Sequence, residues 1–319
     1  MKKFFLILII LIFLSVSFIL DEIYLPKSFK LEKEKLFLVK PGQNLFQISE
    51  NLEKEGLIKN KFFFDFYIFI KGVQRKLQAG EYSLSSSESI NRIAEKIISG
   101  DIAKTVVTIP EGWTQKQIEE KIGLKLPGEN LEGFLFPDTY QFSRGVSGEE
   151  VVEKMRENFE KKITPELREE IEGQGKTIFE IVIMASLLEK EVKTFEDKEL
   201  VSGILWKRLE NGMPLQVDAT ITYIKKTTNL EGPRSFSEKG EAYGSRISIE
   251  ETKINSLFNT YKYLGLPPGP ICNPGIDSIK AAIYPKNSDY WYYLSTPEGK
   301  TIFSKTLEEH NIVKEKYLR

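Results

Sequence analysis

The apolar residues change their spacing several times along the chain. Phe4 to Leu20 is an almost unbroken apolar run, diluted only by Ser15 and Ser17. It has the length of a short membrane-spanning helix. Leu36-Phe-Leu-Val39 then reads as a strand, followed by a turn at Pro41-Gly42. Leu45, Ile48 and Leu52 return at helical spacing, and Gly56 stops that helix. Phe62 to Ile70 is densely aromatic and predicts a second buried helix. Leu77 to Leu84 reads as a strand entered through Gly80. Ser87 is expected to cap a helix carrying Ile90, Ile93, Ala94 and Ile97 on one face, closed by Gly100. Residues 36–104 therefore predict a small α+β domain.

The remainder, 105–319, predicts a larger mixed α+β domain. Val107 to Ile118 repeats the strand–turn–helix pattern, with Gly112, Ile118 and Ile122 spaced like Gly42, Ile48 and Leu52. Leu131 to Phe142 is an aromatic loop. Residues 149–172 are charged and helical, broken at Pro165. Residues 178–191 form the helix that organises the rest. Met184, Leu187, Leu188 and Glu191 lie at i, i+3, i+4 and i+7, so Glu191 extends an apolar stripe. Phe195 would join that stripe if the helix ran on. Glu189 has Lys193 four residues later, the order that favours an ion pair. Thr194 opens another helix with a capping box, ending at Asn211-Gly212. After it, Asp218 could cap a short helix, or Gln216 and Asp218 could point together off a strand. Gly265 to Gly275 holds four prolines and reads as a rigid wall. A helix over 278–283, a hairpin of Tyr290–Ser295 with Thr301–Ser304, and a closing helix over 306–318 complete the chain.

Charge and rare residues prune the chemistry. The chain has 45 basic and 46 acidic residues, net −1, which gives no basic face for nucleic acid. One cysteine, Cys272, and one histidine, His310, argue against an internal disulfide, structural zinc or a cofactor site built on such ligands. A histidine-based triad would have to use His310, in a charged segment near the C-terminus. Catalysis falls to carboxylates, hydroxyls and amides. A carboxyl held against apolar side chains is costly to ionise, so Glu191 suits a general acid. The aromatic loop sets Glu132, Asp138 and Gln141 among ring faces, a composition suited to sugars. At the N-terminus, Lys2-Lys3 precede the apolar run and no small-x-small cleavage pattern follows. This predicts a cytoplasmic stub (1–3), a retained single-pass anchor (4–20), a spacer (21–35) and an exported remainder.

Val39-Lys-Pro-Gly-Gln-Asn-Leu45 resembles the opening of a LysM module, over that module's first half. A broader resemblance rests on several stretches in order. They are Leu131-Glu-Gly-Phe-Leu-Phe-Pro-Asp-Thr-Tyr140, Ala185-Ser-Leu-Leu-Glu-Lys-Glu191, Leu215-Gln-Val-Asp-Ala-Thr220, Asn259-Thr-Tyr261, Gly265-Leu-Pro-Pro-Gly-Pro-Ile271 and Asn273-Pro-Gly275. They resemble the MltG/YceG-like endolytic murein transglycosylases. The resemblance implies cleavage of the β-1,4 bond between N-acetylmuramic acid and N-acetylglucosamine in peptidoglycan strands. It implies Glu191 as the catalytic glutamate, without metal or cofactor. By position it also implies substrate contacts for Gln216, Asp218, Asn259, Tyr261 and Asn273, which join Glu132 of the aromatic loop as candidate contacts. Work beside the peptidoglycan synthases at the cell (inner) membrane, limiting strand length, is implied too. Two other readings stay open: a muramidase using Glu191 with Asp218, and a non-catalytic wall-binding scaffold.

Overall fold

The computed structural model describes residues 2–129, 131–228 and 247–317. They form a mixed α+β chain that divides into two compact units. The first holds residues 1–106 and 141–146; the second holds 107–140 and 147–319.

The first unit begins with α1 (Lys2–Tyr24). Among the described residues this is the one helix long and apolar enough to cross a membrane. Its flanks from Phe4 to Leu14 are exposed. The helix runs past Leu20 into the stretch expected as spacer, because Ile19 and Ile23 have a core to enter. Then follow β1 (Lys35–Val39), α2 (Leu45–Lys54), α3 (Lys61–Lys71), β2 (Gly80–Leu84) and α4 (Ile90–Ser99). β1 and β2 pair antiparallel with Phe37 opposite Tyr82. Alternation sends Phe37, Val39, Tyr82 and Leu84 inward, onto Leu52, Phe64 and Ile93. Asn44 and Gln47 form a reciprocal capping box on α2, and Asn60 caps α3 by accepting from the Phe62 N–H. The predicted cap of α4 is displaced: Ser89 occupies the extended N-cap position, while the Ser87 hydroxyl lies 2.7 Å from that of Ser85.

The chain leaves this unit along β3 (Lys104–Thr108) and returns along β4 (Thr139–Ser143), with α5 (Gln115–Ile122) between them. The second unit continues with α6 (Gly148–Lys162), α7 (Pro165–Gly173), α8 (Ile178–Glu191), α9 (Phe195–Glu210), α10 (Asp218–Thr227) and α11 (Ile276–Ile283). The antiparallel hairpin β5 (Tyr292–Ser295) and β6 (Thr301–Ser304) and then α12 (Leu307–Tyr317) close it.

α8 is the axis of the second unit. Every residue from Ile181 to Leu188 is buried, so this helix is enclosed rather than amphipathic. It packs against α7, α9, α10 and α11. Ser186 is the one polar residue in that stretch. Its hydroxyl donates to the Ile183 carbonyl and accepts the Ile271 N–H, which fixes the proline-rich loop to the helix. α8 ends at Glu191: Val192 is extended, with φ −140°, and Thr194 caps the separate helix α9. Phe195 therefore lies on α9, not on the stripe that ends at Glu191.

Candidate active site

The end of α8 and the start of α10 meet at Glu191. Glu191 Oε1 accepts the Ala219 N–H at 3.2 Å, one of the free amides of the first turn of α10. Oε2 accepts the Tyr293 hydroxyl of β5 at 3.0 Å. Desolvation, and after it the neighbouring charge of Asp218, push its pKa up to about 7. The two donors work in the opposite direction, because they favour the carboxylate. The balance leaves a carboxyl able both to give and to take a proton near neutrality.

Asp218 is the first residue of α10 and does not cap it; Val217 occupies the N-cap position without a side-chain bond. Both the capping and the strand expectations for this segment are thereby replaced. Asp218 is exposed, and its Oδ1 accepts the Tyr261 hydroxyl. Desolvation holds its pKa above the usual aspartate value, while the Tyr261 hydroxyl lowers it. Tyr261 is pushed up by burial and then by the charge of Asp218. Gln216 is exposed beside this pair, with φ +54°. Its N–H donates to the Thr260 carbonyl, and the Val217 N–H donates to the Thr260 hydroxyl at 2.9 Å. Thr260 thus holds the segment that carries Gln216 and Asp218 in a left-handed conformation unusual for a side-chain-bearing residue.

The other expected substrate contacts are turned inward. Asn259 is fully buried; its amide donates to the Thr252 and Ile254 carbonyls and accepts the Tyr261 N–H. Asn273 is also fully buried. It accepts the Leu135 N–H and donates to the Trp113 carbonyl and to Glu132 Oε1. Glu132 accepts the Gln115 N–H with both oxygens. Burial pushes Glu132 up to about 7 as well, with the Gln115 N–H pulling it down. These three side chains, as placed, join loops to one another. The aromatic loop is seated the same way: a Cβ on Gly133, at φ +88°, would come within 2.6 Å of Pro270 and Val182.

Glu189 has a different role from the expected one. It accepts the Ser278 hydroxyl at 2.6 Å and the Gly275 N–H at 3.1 Å, and it pairs with Lys198 of α9 at 3.4 Å. Lys198 is buried and Glu189 nearly so. Glu189 ties α8, α9 and the start of α11 together.

Tyr293 and Thr260 were not singled out by sequence. Tyr293 lies far along the chain from Glu191, and only the hydroxyl-tipped aromatics of Tyr290-Trp-Tyr-Tyr293 hint at it. Thr260 sits inside the Asn259–Tyr261 stretch, between two expected contact residues.

A raised glutamate, cradled by a helix N-terminus and a tyrosine and with Asp218 beside it, defines the site in a largely helical unit. The chain carrying it belongs to the YceG-like family, whose sequence model matches residues 37–316. It is similar to the endolytic murein transglycosylase of Bacillus subtilis strain 168, at 29% identity over 87% of this chain and 83% of the relative. It is also similar to the endolytic murein transglycosylase of Streptococcus pneumoniae D39, at 28% identity; that alignment covers 92% of this chain but 60% of the longer relative. Among solved structures, a YceG-like protein from Listeria monocytogenes aligns with a TM-score of 0.56 at 30% identity, over 89% of this chain and all of the other.

Proposed function

We propose that this chain is a lytic transglycosylase that cleaves peptidoglycan within its glycan strands, with Glu191 as the sole acid–base group. The observation that carries the reading is the state of Glu191, raised to about 7 and held by Ala219 and Tyr293. Protonated Glu191 gives its proton to the glycosidic oxygen as the bond to the muramyl C1 breaks. The resulting carboxylate takes the proton of the muramyl 6-hydroxyl, whose oxygen bonds to C1. No water is consumed, and the product is a 1,6-anhydromuramyl end. The attacking hydroxyl is already tethered to the reacting sugar, an advantage no loose water has.

Tyr261 engages one of the two oxygens of Asp218, so the tethered 6-hydroxyl, and not the state of Asp218, favours this reading over a two-carboxylate muramidase. Gln216, Asp218 and Tyr261 are the residues we assign to substrate contact. Glu132, Asn259 and Asn273 shape the wall behind them. The antiparallel β1–α2–α3–β2 arrangement supports a LysM-like, glycan-binding role for the first unit. The exposed apolar flanks of α1 support a retained membrane span, with both units on the extracytoplasmic side and strands near the membrane as substrate. Peptidoglycan synthases are the natural neighbours of an enzyme so placed.

The test is digestion of purified peptidoglycan by the full chain in detergent. Soluble glycan fragments are expected from the wild type. Glu191→Gln should lose on the order of 10² to 10⁴ in rate while keeping its fold. Undiminished release by that variant would refute the assignment.

A further inference from the structure

Among the described residues one side of α3 is largely exposed, with only Phe66 on it packed against the core. Phe62, Phe66, Phe69 and Ile70 fall at i, i+4, i+7 and i+8 and share a face. Phe64, Tyr67 and Ile68 occupy the opposite side and enter the core of the first unit. Phe62, Phe69 and Ile70 are 62%, 72% and 65% exposed. The Phe62 ring stacks on Phe66 at 6.2 Å and meets Phe63 edge-on at 5.6 Å. α3 is apolar around most of its surface, with Asp65 as its one acidic residue; so apolar a helix belongs in a protein core or in lipid, and the side of Phe62, Phe69 and Ile70 has no core. Exposed Lys61 and Lys71 stand at its two ends.

The position of this face identifies its occupant. α1 packs against α3. Phe18, in the last turns of the apolar run, meets Phe63 edge-on at 5.8 Å. Ile19 and Ile23 enter the same core as Phe64, and Glu22 pairs with Lys59 at 3.3 Å, just ahead of α3. The first turn of α3 is therefore level with the end of the α1 apolar run, where such a run leaves a bilayer. An apolar face flanked by lysines at that level matches an interfacial helix, seated about 5–10 Å into the headgroup–acyl boundary. We propose that α3 lies on the membrane that α1 crosses, with Phe62, Phe69 and Ile70 embedded in lipid and Lys61 and Lys71 at the anionic headgroups. The inference rests on the reading of α1 as a membrane span. It adds a second hold, so that the first unit is fixed against the bilayer and does not swing from a tether.

The full chain is reconstituted into vesicles of phosphatidylethanolamine and phosphatidylglycerol, with an environment-sensitive dye on Phe69→Cys or, separately, Ile70→Cys. Both positions are exposed, so neither change disturbs the core, and native Cys272 is buried away from the reagent. Phe13→Cys, within α1, reports the span itself. The α3 probes should shift to the blue. They should lose most of their emission to nitroxide lipids labelled near the headgroup, and less to lipids labelled at the chain end. Loss of emission at Phe13 with water-like, unquenched α3 probes overturns the inference and leaves the span intact. No quenching at Phe13 overturns the span and the inference with it. A blue shift at α3 without lipid quenching means that a second copy of the chain covers the face, which also overturns it.

Discussion

Glu191 is set by three neighbours that act in known directions, and each direction can be measured. The acid must be protonated to start the reaction, so kcat/KM for glycan release should fall as pH rises through about 7. Tyr293→Phe removes a donor to the carboxylate and should move that fall to higher pH. Asp218→Asn removes a like charge and should move it to lower pH. Shifts of both variants in one direction would contradict the arrangement. The same group carries a stability cost. Its folded pKa lies above the ordinary 4.5, so the cost is absent below the unfolded value and grows as pH rises toward the folded value. At most it reaches about 3 kcal/mol. Glu191→Gln escapes it: thermal melts of variant and wild type should coincide near about pH 4 and diverge in favour of the variant by about pH 8.

At the scale of elements, the site depends on how loops and helices are tied to α8. Glu189 is such a tie. Glu189→Gln leaves Lys198 buried without its partner and should cost about 3–5 kcal/mol, read by denaturant unfolding. Any loss of activity should follow the loss of fold, not precede it. Gly133→Ala forces a Cβ into Pro270 and Val182 at a positive φ, and should destabilise by about 1–3 kcal/mol. Full stability in that variant would mean that the aromatic loop does not pack as described. Much of this level is legible in the sequence. The 3.6-residue and alternating periods mark α2, α3, α4, β1, β2 and the closing hairpin, since those patterns depend on local geometry alone. The place of Glu191 at the polar end of an apolar helix is legible in the same way, although α8 is enclosed on all sides and not striped. The real neighbours of Glu191 are not. Tyr293 and Ala219 reach it by tertiary folding, and Glu189 finds Lys198 instead of Lys193 because α8 stops at Glu191. The burial of Asn259 and Asn273 is not legible either: a polar residue in a rigid loop looks the same in sequence whether its amide faces outward or the loop's own backbone.

The whole molecule combines an apolar N-terminal helix, a small α+β unit and a larger unit built on α8. The first two account for where the chain would work, and the third for the reaction proposed. The proposal of intramolecular transfer makes its sharpest claim about the product, because hydrolysis and transfer share the first protonation and differ in what reaches C1. Purified glycan strands are digested with the full chain, and the new ends are resolved by mass before and after borohydride treatment. The account predicts muramyl ends lighter by one water than hydrolytic ends and resistant to reduction. Reducible muramyl ends, lost in Asp218→Asn, would contradict it and establish a two-carboxylate hydrolase.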